Sequence, residues 1–198
     1  MGKTGWIILI VCVLFAVCVC AGVIIAGRAV FSLFTDDDAR ASSGYKDLDS
    51  AYLASGVYTV EMKKLKDLTI DWVAGSVIVE LTNDDVIRFE ETAAGTIREK
   101  DALRYSVSGG KLRIQACKKN HRGALPEKNL TLYLPRVLAD GLEKLDLNSV
   151  SASVAADSLS AREVSLSSVS GAYTLTSLTA DKVNANTVSG SLEISPEK

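Results

Sequence analysis

The groups able to do chemistry are few, and their spacing argues against catalysis. Beyond the first thirty residues the chain carries one thiol, Cys117, and one imidazole, His121. A thiol nucleophile needs a base within hydrogen-bond reach and a third group to orient that base. Four residues apart, at the junction of a strand and a loop, the pair does not supply this by itself. Leu112, Ile114 and Ala116 alternate as the inward set of that strand, which places Cys117 on the outer face as a free thiol. Glycoside hydrolysis wants two carboxylates at a defined separation. Asp84, Asp85, Glu90, Glu91 and Glu99 crowd the middle of the chain, but hairpin turns and solvated strand faces account for them. Asp146, Asp157, Glu163, Asp181 and Glu193 follow without a common period. Asp36-Asp37-Asp38 lacks the alternating ligand spacing of a calcium loop. No CxxC pair suggests zinc. No catalytic, cofactor-binding or metal-ligating set is expected, and the chain reads as something other than an enzyme.

Hydroxyl groups give a clearer pattern. "SSVSGAYTL" (Ser167 to Leu175) is nearly repeated by "NTVSGSLEI" (Asn186 to Ile194). Ser151, Ser170 and Ser189 recur at a step of 19 residues, as do Ser149, Ser168 and Thr187. If one unit stacks on the next at the ~4.8 Å spacing of paired strands, these positions form outward hydroxyl ladders. Small hydroxyl residues also suit the outward and corner positions of a tight coil. The sharper reading is a binding surface for a protein or glycan partner.

The elements that would position the ladders follow from the same step. It links Leu145, Val164 and Val183, then Leu147, Leu166 and Ala185, then Val150, Val169 and Val188, and finally Val154, Tyr173 and Leu192. A fixed period near twenty residues signals a solenoid, in which each unit buries its apolar face only against its neighbours. Within a unit the apolar positions run by twos, interrupted by steps of three: Val164, Leu166, then Val169, Gly171, Tyr173, Leu175, then Leu178, Ala180, then Val183. Alternation by two is a strand with one buried face, and each step of three reverses the parity and demands a corner. The expected fold is all-β: a single-stranded β-solenoid of about 19 residues per coil with three short sides. A leucine-rich repeat is the rival, since "LEKLDL" fits its opening. The Asn or Cys slot of that pattern holds Val, however, and no helical segment follows. Leu68, Ile70, Val73, Gly75, Val77 and Val79 repeat the register of Val183 to Ile194, so the coil is expected to begin near Leu65. Between them lie the strands "VIRFEE", "LRYSV", "KLRIQA" and "LTLYLP", and a loop from Cys117 to Lys128.

"GGKLRI" (Gly109 to Ile114), "NLTLYLP" (Asn129 to Pro135) and the recurring V-S-G units resemble the bacterial putative-adhesin family of β-strand-repeat proteins, a class of unknown function. The resemblance runs from about Val57 to Ile194. It implies a β-solenoid, often membrane-tethered, with a link in some members to cell-envelope stress, and it carries over no active-site residue. The first unit departs from the pattern, with Ser151-Ala152 in place of Ser-Gly.

No charged residue occurs from Gly5 to Gly27. As a helix those 23 residues span about 34 Å at ~1.5 Å per residue, enough for a hydrocarbon core of roughly 30 Å. The run is too long for a secretory signal peptide, and Ala26-Gly27-Arg28 offers no clean cleavage site. Residues 1–34 therefore read as an uncleaved, single-pass signal anchor, 35–56 as a solvated linker, and 57–198 as the β-domain. The expected location is the cell membrane, with the N-terminus cytoplasmic and the β-domain extracytoplasmic. Cys12, Cys18 and Cys20 sit inside the span as small apolar residues. With 22 basic and 24 acidic residues the net charge is −2, which argues against a nucleic-acid partner. Two functions remain: an adhesin-like surface interaction module, with envelope stress as one setting, and an envelope glycan-modifying enzyme on the same scaffold. The last coil would leave unpaired strand edges, so self-association or β-augmentation through the C-terminal edge is also expected, against a frayed terminal strand.

Overall fold

The computed structural model describes residues 50, 52–118, 121 and 123–196. The apolar run, the aspartate cluster and most of the linker lie outside the described residues. Among the described residues no helix is long and apolar enough to cross a membrane.

In chain order the strands are β1 (Val57–Val60), β2 (Asp67–Trp72), β3 (Gly75–Thr82), β4 (Ile87–Ala93), β5 (Arg104–Ser108), β6 (Lys111–Gln115) and β7 (Lys128–Pro135). They continue as β8 (Leu142–Ser149), β9 (Ser153–Asp157), β10 (Ser160–Ser168), β11 (Tyr173–Thr187) and β12 (Leu192–Pro196). A 3-10 turn spans Glu99–Asp101, and one short helix, α1, spans Arg136–Ala139. The strands form two sheets joined through β11, in the continuous order β1-β4-β7-β3-β9-β11-β10-β8-β2-β6-β5, with β12 against β11.

The 19-residue step is visible directly as parallel, in-register pairing. Leu145 lies beside Val164 and Val164 beside Val183. On the adjoining sheet Val154 pairs with Tyr173 and Tyr173 with Leu192. Each layer thus places one β-strand in each of two sheets, and the layers stack as a solenoid-like coil. Upstream, β2 and β3 form a layer of their own, with Leu68 beside Leu145 and Val77 beside Val154. On its other side lie β6 and β7, where Leu112 pairs with Leu68 and Leu130 with Val77. That end is capped by antiparallel strands, β5 on β6 and β4 on β7, with β1 outermost. Under the cap Tyr58 stacks on Phe89 at 5.2 Å, and both meet Tyr105 edge-on.

The corners have distinct causes. Ser158 and Ser177 take positive φ values of 59° and 52°, turning the chain between β9 and β10 and within β11. Pairing skips Arg162 and Asp181, where β10 and β11 bend. The third corner follows Ser149 and Ser168. A Cβ on Gly171 would lie 2.1 Å from the carbonyl oxygen of Ala152, so this layer closes only around glycine, whereas the layer before it carries Ala152 at the same position. Inside, Leu68, Leu112, Leu145 and Val164 form a buried ladder across successive layers. Burying one such side chain contributes roughly 1.5–3 kcal/mol.

Two expectations need correction at this third corner. Val150 and Val169 are only half-buried and Val188 is 64 % exposed, whereas Ser149 and Ser168 are buried. Alternation by two continues one step past Leu147 and Leu166, so serine takes the last inward position and the valines sit on the turn. Hydrophobicity put the valines inside. The corner needs a hydroxyl there to satisfy the backbone that turns.

Candidate interaction surface

Of the six hydroxyl positions singled out from the sequence, two are removed from any surface. Ser149 Oγ lies 3.3 Å from Ala152 O and 3.2 Å from Ser168 Oγ, and its one proton can go to either. Ser168 Oγ accepts from the Gly171 N–H at 2.7 Å. The Tyr173 hydroxyl joins the same cluster, donating to Ser167 O at 2.7 Å, and burial pushes its pKa up. Thr187 is exposed, but its hydroxyl accepts from the Gly190 N–H at 2.9 Å, as Ser168 does from Gly171. Ser151, Ser170 and Ser189 are exposed and stacked. Each hydroxyl reaches back to a carbonyl of the preceding layer: Val73, Val150 and Val169, at 3.2, 3.4 and 3.2 Å. These three remain accessible while also tying the layers together.

The flat outer face of β6, β2, β8, β10 and the second half of β11 lies beside that corner. Register brings Lys111, Asp67, Lys144, Glu163 and Lys182 into one row across the strands, with alternating charge. Lys111 meets Asp67 at 2.6 Å, and Lys182 meets Glu163 at 3.1 Å, which holds the Glu163 carboxyl below its ordinary pKa. A 3.0 Å bond to Asp146 raises the pKa of Lys144. Nearer the corner, Asp71 accepts from Arg113 at 2.9 Å and from the Asn148 amide at 3.0 Å. Asn148, Ser167 and Asn186 then continue side by side. The face is polar, locally neutralised and periodic. A shallow groove of about 300 Å³ crosses the Arg162 bend between Asp140 and Asp181.

A second group of functional side chains is buried near the capped end. Lys128 Nζ donates to Glu91 Oε1 at 2.6 Å, to the Asp101 carbonyl at 2.5 Å and to the Ala116 carbonyl. Glu91 also accepts from the Leu103 N–H at 3.0 and 3.1 Å. His121 Nε2 sits 2.8 Å from Asp101 Oδ1, and Arg98 Nε donates to Asp101 Oδ2 at 2.6 Å. Burial pushes the Asp101 pKa up, but the bonds from His121 and Arg98 outweigh it and hold the carboxyl below its ordinary value.

The third group that orients His121 therefore exists, and it is Asp101. No hydrogen bond joins His121 to Cys117 among the described residues. Cys117 is half-buried rather than fully outside, and burial raises its pKa, which keeps it a protonated thiol. Asp84, Asp85 and Glu99 are exposed as expected, but Glu91 is inside. Lys128 and Glu91 were legible as inward: Lys128 is in phase with Leu130, Leu132 and Leu134, and Glu91 with Ile87 and Phe89. Asp101 belongs to no periodic run, and nothing in the sequence marks it. No three His, Cys, Asp or Glu side chains among the described residues are grouped to hold a metal ion.

These features define an all-β, solenoid-like repeat protein with one capped end. The profile of the family described as Toastrack DUF4097 matches residues 56–197, and the chain belongs to that family. A comparison with curated proteins finds no match. Among solved structures, a putative cell adhesion protein from Clostridium sporogenes ATCC 15579 is similar over 71 % of this chain and 97 % of its own, at 10 % identity and a TM-score of 0.44. A putative adhesin from Parabacteroides merdae ATCC 43184 is similar over 71 % of this chain and 80 % of its own, at 11 % identity and a TM-score of 0.28. At these values neither structure bears on what this chain does.

Proposed function

We propose that the chain is a single-pass membrane protein whose β-domain stands outside the cell membrane and works as an adhesin-like interaction module. The observation that carries this reading is the flat face of β6, β2, β8, β10 and β11. Its polar side chains are locked in register, its charges are paired, and Ser151, Ser170 and Ser189 border it. Such a face offers many weak, evenly spaced hydrogen-bonding groups, which favours an extended partner over a small substrate. The glycan-modifying reading would need two accessible, uncompensated carboxylates. On this face Asp67, Asp146 and Glu163 are each tied to a lysine and Asp71 to Arg113, which leaves that reading Asp140 and Asp181 at the groove, exposed and in no ion pair among the described residues. The charge-free run from Gly5 to Gly27 supports the anchor, and the orientation rests on the free amino terminus on one side and the Ser/Thr-rich domain on the other. An envelope-stress role belongs to the same reading, through whichever partner occupies the face.

The test has two parts. Protease added to intact cells should remove the β-domain; protection of that domain would overturn the topology. A photo-crosslinking residue at Ser167, on the corner side of the face, should capture an envelope component. The same probe at Ile78, on the other sheet, should not. Equal capture from both positions would refute the assignment of this face.

A further inference from the structure

The two ends of the stack differ. The cap strands and three aromatic rings close one end, whereas among the described residues no strand lies over the final layer, formed by β11 from Thr179 onward and by β12. Its inward positions are consequently open. Val183 and Leu192 are each 42 % exposed, and Ala185 and Thr187 are exposed too. One layer back, their counterparts Val164, Tyr173, Leu166 and Ser168 are all buried. Apolar side chains with the phase of a core thus stand beside backbone edges that can still accept a strand.

We propose that this end docks a second copy of the chain, related by a two-fold axis through the Val188–Ser189 corner. The inference is independent of the flat face and goes beyond it. Inward residues are placed symmetrically about that corner: Thr187 and Gly190, Ala185 and Leu192, Val183 and Ile194. A two-fold rotation reverses strand direction, so β12 of one copy runs antiparallel to the second half of β11 in the other. Leu192 then meets Ala185, and Ile194 meets Val183, inward against inward on both sheets. Outward, Ser191 faces Asn186 and Glu193 faces Asn184, with Lys182 of the other copy on the diagonal, within reach of a long side chain.

That polar arrangement repeats one already present within the chain. Glu163 accepts from both Lys182 and Asn184, each at 3.1 Å. The chain's own end therefore supplies the apolar phase and the charge complement that a closing layer needs. The other isologous arrangement, β12 centred on β12, sets Leu192 against Pro196, which has no N–H to give the ladder, and leaves the second half of β11 uncovered, so it is disfavoured. Closed two-fold dimers are the commonest homo-oligomers, and this one removes both open edges at once.

The experiment uses the full chain in native membranes, with Cys12, Cys18, Cys20 and Cys117 replaced by alanine. Ser189→Cys lies next to the axis and should give a disulfide-linked homodimer on mild oxidation. Ser170→Cys, one layer of ~4.8 Å deeper in each copy, should not. In detergent, Glu193→Lys should raise the dimer dissociation constant about threefold to tenfold, from two symmetric like-charge contacts. Asn186→Glu, at the other diagonal position and beside uncharged Ser167, combined with Glu193→Lys should recover it. The proposal is overturned if Ser189→Cys stays monomeric or links to a different protein. It is overturned equally if Ser170→Cys links as well as Ser189→Cys, or if the compensating pair fails to restore the dimer.

Discussion

Lys128→Met is the substitution that most directly probes the buried ionic cluster. The ammonium holds four segments together: β7 through its own backbone, β4 through Glu91, the 3-10 turn through the Asp101 carbonyl, and the end of β6 through the Ala116 carbonyl. Methionine fills similar space but leaves Glu91 as a buried carboxylate with the Leu103 N–H as its remaining partner among the described residues. Breaking a buried pair in this way costs about 3–5 kcal/mol, a large share of a domain stability of about 5–15 kcal/mol. Replacing both partners, Glu91→Met with Lys128→Met, removes the orphaned charge. The double variant should therefore recover about 1–2 kcal/mol, short of full recovery because the two carbonyls still lose their donor and the buried Leu103 N–H loses its acceptor. Urea unfolding followed by Trp72 fluorescence, in a Trp6→Phe background, reads the cluster directly, since the Trp72 indole donates to the Lys128 carbonyl at 2.9 Å. A cost below about 1 kcal/mol for Lys128→Met would refute the reasoning, because the range for a broken buried pair starts well above it. A double variant as unstable as the sum of its single variants would refute it too.

Gly171→Ala forces a Cβ to within 2.1 Å of a backbone oxygen and should cost about 1–3 kcal/mol in the same urea assay. Ser168→Ala strips the acceptor from the buried Gly171 N–H and should cost about 1–3 kcal/mol, while exposed Ser170→Ala stays within about 0.5 kcal/mol; equal effects would place the wrong serine inside. Asp101 has its folded pKa depressed, so its contribution is present above the unfolded value and is lost as pH falls through the folded one. Melting temperature should accordingly drop as the pH is taken below about 4, and Asp101→Asn should flatten that part of the profile.

The repeats were legible because apolar phase and register are one signal in a parallel coil. Leu145, Val164 and Val183 carry the same step in the sequence that pairs them in space. The corner is where hydrophobicity and hydrogen bonding disagree, since Ser149 and Ser168 are inward for their hydroxyls and the neighbouring valines lie on the turn. Each of the strands β4 to β7 is legible singly, but the joining of β6 and β7 to the parallel stack beneath β2 and β3 is not, because their separations in the chain share no common step. The buried cluster is harder still. Glu91 and Lys128 announce themselves only to a reader who trusts phase over charge, and Asp101 meets His121 through a loop with no period.

The layer built from β2 and β3 lies between two layers that come later in the chain: Leu68 pairs on one side with Leu112 and on the other with Leu145. A chain emerging N-terminus first therefore presents this layer with both edges bare, and each stays bare until a much later segment arrives. Non-local pairing of this kind folds slowly, and unpaired edges invite pairing with the wrong chain in the interval. The later repeats have an easier course, because each finds its template in the layer just completed. Folding is thus expected to wait on β2 and β3 and then run quickly to the end, so a lesion in "DLTIDW" should stall the whole domain, whereas one in β12 should cost only the last layer.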